Sequence, residues 1–140
     1  MYEYKATIVR IIDGDTIVCT VDLGFFMDRR EEGFRVGRID APEVTLRGST
    51  TPEEKAAGLD LRGYLAGFLT GQEVTLRTGK DNGRGKYRWV AEVLFPASLI
   101  PPSSATTLEG REGAVFVEDG EMVNLSDFLV ASGLAEYKEY

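Results

Sequence analysis

Asp13-Gly14-Asp15-Thr16 and Asp40-Ala41-Pro42-Glu43 place four carboxylates in two short strings, with Arg35 just ahead of the second. Hard oxygen ligands beside guanidinium groups are the parts that metal-assisted attack on a phosphodiester requires. Calcium accepts carboxylates, backbone carbonyls and water in a loose shell of about six to eight oxygens. Two aspartates and one carbonyl would leave positions for water and a phosphate oxygen. A glutamate that does not ligate the ion can act as general base. Arginine suits phosphate because its planar fork matches two oxygens and stays protonated. The chain has no histidine and one cysteine, so imidazole- and thiolate-based hydrolysis lack their parts.

Asp-Gly is nevertheless a turn signal before it is a chemical one. Asp119-Gly120, followed by Glu121, carries the same hairpin logic with no chemistry implied. What sets the first string apart is the second, at the end of a strand able to pair with the first hairpin.

The elements that must hold these residues are mostly strands. Residues 5–12 and 16–23 are rich in β-branched side chains, with Asp13-Gly14 between them as a hairpin turn. A third strand is expected from about Phe34 to Ile39, stopped by Pro42, which cannot donate to a ladder. The period then changes. Thr51-Pro52-Glu53-Glu54 supplies an N-cap, a proline at the first helical position and a capping-box glutamate. Ala57, Leu61, Leu65 and Phe68 follow at one-face spacing, and Gly71 ends the helix. Gly58, Gly63 and Gly67 weaken it by about 1 kcal/mol each relative to alanine.

Strands resume at 73–78 and 86–95, the latter turning Tyr87, Trp89, Ala91 and Val93 inward. Residues 96–113 hold three of the five prolines and read as a loop insertion. A hairpin at Asp119-Gly120 leads to a short helix with Asn124 as N-cap, apolar Leu125, Phe128 and Leu129, and Gly133 as stop. Five or more strands with a helix after the third predict an α+β, mostly β chain: a small barrel of the OB kind.

At 140 residues and 43% hydrophobic content, the chain forms one domain with a real core. A single cysteine, Cys19, cannot form an internal disulfide, and its place in a strand reads as a buried structural thiol. Net charge is −7, so any nucleic-acid contact needs a local cluster, and Arg77, Lys80, Arg84, Lys86 and Arg88 form the densest one. No apolar run approaches the roughly 20 residues of a membrane span. The start has no apolar h-region, so the expected location is cytoplasmic unless a leader has been removed, with no membrane partner.

Ile-Asp-Gly-Asp-Thr, Phe-Arg-Val-Gly-Arg-Ile-Asp-Ala-Pro-Glu, Lys-Tyr-Arg-Trp-Val-Ala-Glu-Val and Val-Asn-Leu-Ser-Asp-Phe-Leu-Val-Ala-Ser-Gly-Leu-Ala occur here in that order. In this the chain resembles the staphylococcal nuclease-like (thermonuclease) domains, over about residues 5–135. The resemblance implies a five-stranded Greek-key OB-fold barrel with two or three helices and a calcium-dependent phosphodiesterase acting on DNA or RNA. It implies Asp15, Asp40 and the Ala41 carbonyl as ligands of Ca2+, and Glu43 as the base that activates water. Arg35 would bind the phosphate, and Arg88 would stabilise charge near the leaving oxygen. Lys86 and Tyr87 would contact the nucleotide, with Asp13 a turn residue and Thr16 a supporting hydroxyl.

Two departures bear on the site. The family places a glycine between the aromatic residue and the second arginine, whereas Tyr87 here is followed directly by Arg88. One residue fewer reverses the face of every later side chain unless a bulge absorbs it. Arg84, in Asn82-Gly83-Arg84-Gly85, is then the alternative guanidinium. Strict alternation also puts Arg38 rather than Arg35 on the face of Asp40. A strand that ends before Asp40 removes that objection and leaves Arg38 a solvated or packing residue. The chain stops soon after its second helix, where family members carry a further helix and tyrosines. Tyr137 and Tyr140 are candidates for that role, and the expected state is a monomer or a weak homodimer. The alternative function is a non-catalytic OB-type module for single-stranded nucleic acid or a protein partner.

Overall fold

Long β-branched runs need neighbours on both sides, and this chain satisfies them by closing a sheet on itself. A computed structural model describes residues 2–37, 39–41, 51–78, 84–85, 88–101, 116–117 and 122–137, covering only the backbone at 84–85, 88 and 116–117. Strands β1 (Tyr2–Asp13) and β2 (Thr16–Gly24) form the first hairpin, and β3 (Met27–Val36) adds antiparallel to β2. Strand β4 is the pair Ile39–Asp40. On the other side of β1 lies β5 (Glu73–Thr78), followed by β7 (Arg88–Pro96), to which the two-residue β6 (Arg84–Gly85) pairs. Parallel pairing of β3 with β7 through Phe34–Trp89, Arg35–Val90 and Val36–Ala91 closes the ring β1-β2-β3-β7-β5. Two short strands, β8 (Phe116–Val117) and β9 (Met122–Asn124), extend β7, and β10 (Glu136–Tyr137) pairs with β4.

Strand β1 serves two partners and changes parity along its length. Ala6 and Ile8 are buried, then Ile11 and Asp13, with the register shift between Ile8 and Arg10 moving the inward set by one residue. Strand β2 pairs on both sides of this bulge, from Ala6 to Asp13, while β5 pairs with Tyr2 to Thr7, and the bulge is where the core-facing set changes parity.

Helix α1 (Pro52–Leu69) starts as expected: Thr51 Oγ1 accepts the Glu54 N–H at 3.1 Å, and Pro52 occupies the first turn. It stops at Thr70-Gly71, where Gly71 adopts φ +80° and donates its N–H to the Ile8 carbonyl at 2.7 Å. The buried face is Gly58, Leu61, Leu65 and Leu69. Ala57 is exposed and Phe68 half-buried, so the apolar stripe is rotated slightly from the one the spacing predicted. Phe68 earns its place differently, meeting Phe95 and Phe128 edge-to-face at 5.9 and 6.1 Å. Such pairs contribute about 0.5–1.5 kcal/mol beyond area burial. Phe128 belongs to helix α2 (Leu125–Ala131), whose N-cap Asn124 Oδ1 accepts the N–H groups of Ser126 and Asp127. Both helices thus seat on one shared aromatic cluster.

Other expectations shift in detail. The third strand begins at Met27, not Phe34, because its outer half is a charged edge paired only to β2. It ends at Val36, and a turn at Gly37 separates it from β4. The described part of β7 starts at Arg88, the expected start at Lys86 lying outside the described residues, and Leu94 is buried together with Ala91, Val93 and Phe95, because neighbours cover both faces there. Cys19 is fully buried, and burial pushes its thiol up to about 12, which removes it from thiolate chemistry at neutral pH. No helix among the described residues is long and apolar enough to cross a membrane.

Candidate active site

Asp15 enters the site because its turn is pressed into a narrow gap. Gly14 does not use a left-handed backbone; it is needed for space. A Cβ there would sit 2.8 Å from the Ala41 Cβ and would also run into the Leu61 side chain. The turn is therefore wedged between α1 and the residue after β4, which carries Asp15 inward until it is 1% exposed.

A carboxylate so deeply buried must have its oxygens satisfied. Asp15 Oδ2 accepts the Ala41 N–H at 3.1 Å and Arg35 Nη2 at 3.3 Å, and Oδ1 accepts the Thr16 hydroxyl at 3.2 Å. The Asp15 N–H donates to Asp13 Oδ1 at 3.2 Å, which closes the turn. Its carbonyl accepts the Val36 N–H at 2.8 Å, joining the start of β2 to the end of β3. Burial is the largest single influence on the Asp15 carboxyl and acts upward. The neighbouring Asp13 side chain, the Arg35 charge and the Ala41 amide together outweigh it, so the carboxyl lies below its ordinary value and is ionised at neutral pH.

Arg35 spans the gap between the two acidic strings. Its Nη2 also donates to the Ile39 carbonyl at 3.4 Å and lies 3.9 Å from Asp40 Oδ1. Asp40 is half exposed, whereas Arg35 is 16% exposed. The alternation argument for Arg38 lapses because β3 ends at Val36 and the chain turns before Asp40. Arg38 itself lies outside the described residues.

Two further contacts hold that turn. The Gly37 N–H donates to the Ala91 carbonyl at 2.9 Å, and the buried Ser126 hydroxyl donates to the Gly37 carbonyl at 2.6 Å. On the other side, Glu136 pairs with Asp40 and Tyr137 with Ile39, and the Tyr137 hydroxyl donates to Asp127 Oδ1 at 2.7 Å. A cleft of about 450 Å³ opens beside Asp40 and Ala41, with Glu54 and Glu136 on its walls. Sequence reasoning missed Ser126 as a clamp, since a serine at the second position of a helix signals only a local cap.

Of the expected site residues, Asp15, Asp40, Ala41 and Arg35 are brought together. Glu43, Lys86 and Tyr87 lie outside the described residues. Arg84 and Arg88 fall on β6 and β7, Arg84 opposite Trp89 and Gly85 opposite Arg88. Because Arg35 pairs with Val90, the start of β7 is next to the strand that carries Arg35. Among the described residues, no three Asp, Glu, Cys or His side chains gather closely enough to hold a metal ion. Asp15, Asp40 and a backbone carbonyl are a hard-oxygen set of the type calcium takes, although both Asp15 oxygens already accept hydrogen bonds. No protein-family model and no curated protein matches the chain.

Proposed function

We propose that the chain is a calcium-dependent nuclease that hydrolyses phosphodiester bonds of DNA or RNA, built on an OB-fold barrel of the staphylococcal nuclease-like kind. The observation that carries this reading is Arg35 reaching both Asp15 and Asp40, which makes one pocket of two distant acidic strings. Calcium bound there would supply charge neutralisation on the scissile phosphate. Asp15 and Asp40, with the Ala41 carbonyl, would hold it. The half-exposed Asp40 leaves that pocket open to solvent, so a phosphate oxygen can reach it. Arg35, packed by its neighbours and always charged, would bind the phosphate and oppose the charge that builds on its equatorial oxygens. Glu43 would take the proton from the attacking water, and Arg88 or Arg84 would supply the second guanidinium. Lys86 and Tyr87 would contact the nucleotide.

One observation favours a second reading. Asp15 is so fully engaged by Ala41, Thr16 and Arg35 that it already works as a structural hub, which is all a non-catalytic binding module would require of it. Incubation with single-stranded DNA in calcium, then in chelator, separates the two. Cleavage that needs calcium and vanishes in Glu43→Gln supports the nuclease. Binding without cleavage at any calcium concentration supports the module.

A further inference from the structure

The tip of the β2–β3 hairpin is composed against its own turn geometry. Gly24 pairs with Met27, which leaves Phe25-Phe26 as a two-residue loop, both at positive φ (53° and 61°). Such loops normally take Asn-Gly. Asp22 Oδ1 accepts the Gly24 N–H at 2.8 Å and fixes the entry to the turn. Phe25 is 93% and Phe26 110% exposed, and Leu23 and Met27 beside them are exposed as well. Two aromatic rings held in left-handed backbone and left in water indicate a surface selected for contact.

We infer that this tip inserts into the interface of a zwitterionic phospholipid bilayer, so that the protein can lie on a membrane without spanning it. The tip carries four exposed apolar side chains on a two-residue loop and its flanks, and a bilayer accepts such an apolar cap without a matching pocket. Its depth fits: charged residues begin at Asp22 and Asp28, which face each other across the hairpin. The strand rise puts about 7–10 Å of apolar chain beyond them, close to the roughly 5–10 Å that interfacial segments bury.

The charge pattern below the cap fits too. Arg10 pairs with Glu31 at 2.7 Å, Arg29 with Glu32 at 2.7 Å and Arg30 with Asp28 at 3.4 Å. Arg10, Arg29 and Arg30 each have a carboxylate partner along β3, so both signs of charge lie below the cap, which complements headgroups carrying both a phosphate and a quaternary ammonium. A polyanion, whether acidic lipid or nucleic acid, would meet the facing carboxylates of Asp22 and Asp28 on a chain of net charge −7. A second copy is the weaker occupant. Four side chains offer on the order of 500 Å², short of the roughly 800 Å² per partner of a stable pair. Strand addition is opposed by charges along β3 and by Glu31 at φ 51°.

The test floats the full chain with phosphatidylcholine vesicles and with vesicles enriched in phosphatidylserine. The wild type should bind phosphatidylcholine, and added salt should leave that binding unchanged. Phe25→Asn combined with Phe26→Gly should lower it at least about tenfold while the melting temperature holds or rises, because Asn-Gly suits the turn. Failure of the wild type to float with phosphatidylcholine, binding confined to phosphatidylserine, or equal binding by the variant would each overturn the proposal. So would a dimer in sedimentation equilibrium that the double variant dissolves without any vesicle binding, since the occupant would then be a second copy.

Discussion

The buried carboxylate of Asp15 accepts a hydrogen bond from the backbone N–H of Ala41, 26 positions further along the chain. That contact joins the turn of the first hairpin to the segment that follows β4, so the site is also a structural joint. Asp15→Ala should cost about 2–4 kcal/mol in urea unfolding, because the Ala41 amide and the Arg35 guanidinium both lose a buried acceptor. Asp15→Asn, which keeps the shape but not the charge, should cost less.

The same group makes stability depend on pH with a definite sign. Its folded carboxyl lies below the ordinary value of 3.8, so its contribution is fully present above that value. It is lost as pH falls through the lower folded value. The stability difference between wild type and Asp15→Asn should therefore be flat from neutral pH down to about 5 and shrink below 4. A difference that grows on acidification would contradict the assignment.

Glycines offer an internal contrast. Gly14→Ala should destabilise by about 1–3 kcal/mol, since its Cβ has no room against Ala41 and Leu61. Gly63→Ala and Gly67→Ala on α1 meet nothing within 4 Å and should each stabilise by about 0.5–1 kcal/mol. Thermal melts of the three single variants check both signs.

Much of this frame was legible in the chain because local chemistry and tertiary structure agree there. Thr51, Pro52 and Glu54 mark the start of α1, Gly71 its end, and Asn124 and Gly133 bracket α2, each through a backbone requirement that acts locally. The rotated face of α1 was not legible, since Ala57 and Gly58 are both small and only the packed barrel chooses between them. Nor was the outer half of β3, whose Asp28-Arg29-Arg30-Glu31-Glu32 has no apolar alternation to announce a strand. At the site, the pairing of the two acidic strings could be anticipated from residue type. That Arg35 reaches Asp40 depended on where β3 stops, and a Ser126 hydroxyl 89 positions away from Gly37 helps decide that.

That clamp yields a prediction linking fold to activity. Ser126→Ala removes a buried donor from the Gly37 carbonyl and should cost about 1–2 kcal/mol in unfolding free energy. If the proposed nuclease reading is right, loosening the turn should also displace Asp40 relative to Arg35, because Gly37 lies between them. Arg35→Lys sets the scale for such an effect: it keeps the charge but loses the fork, and should lower kcat on single-stranded DNA by about 10²-fold or more. Ser126→Ala should fall between wild type and Arg35→Lys, at a temperature where all three are folded by circular dichroism. Should Ser126→Ala lose stability yet keep full kcat, the turn tolerates movement, and the clamp serves the fold alone.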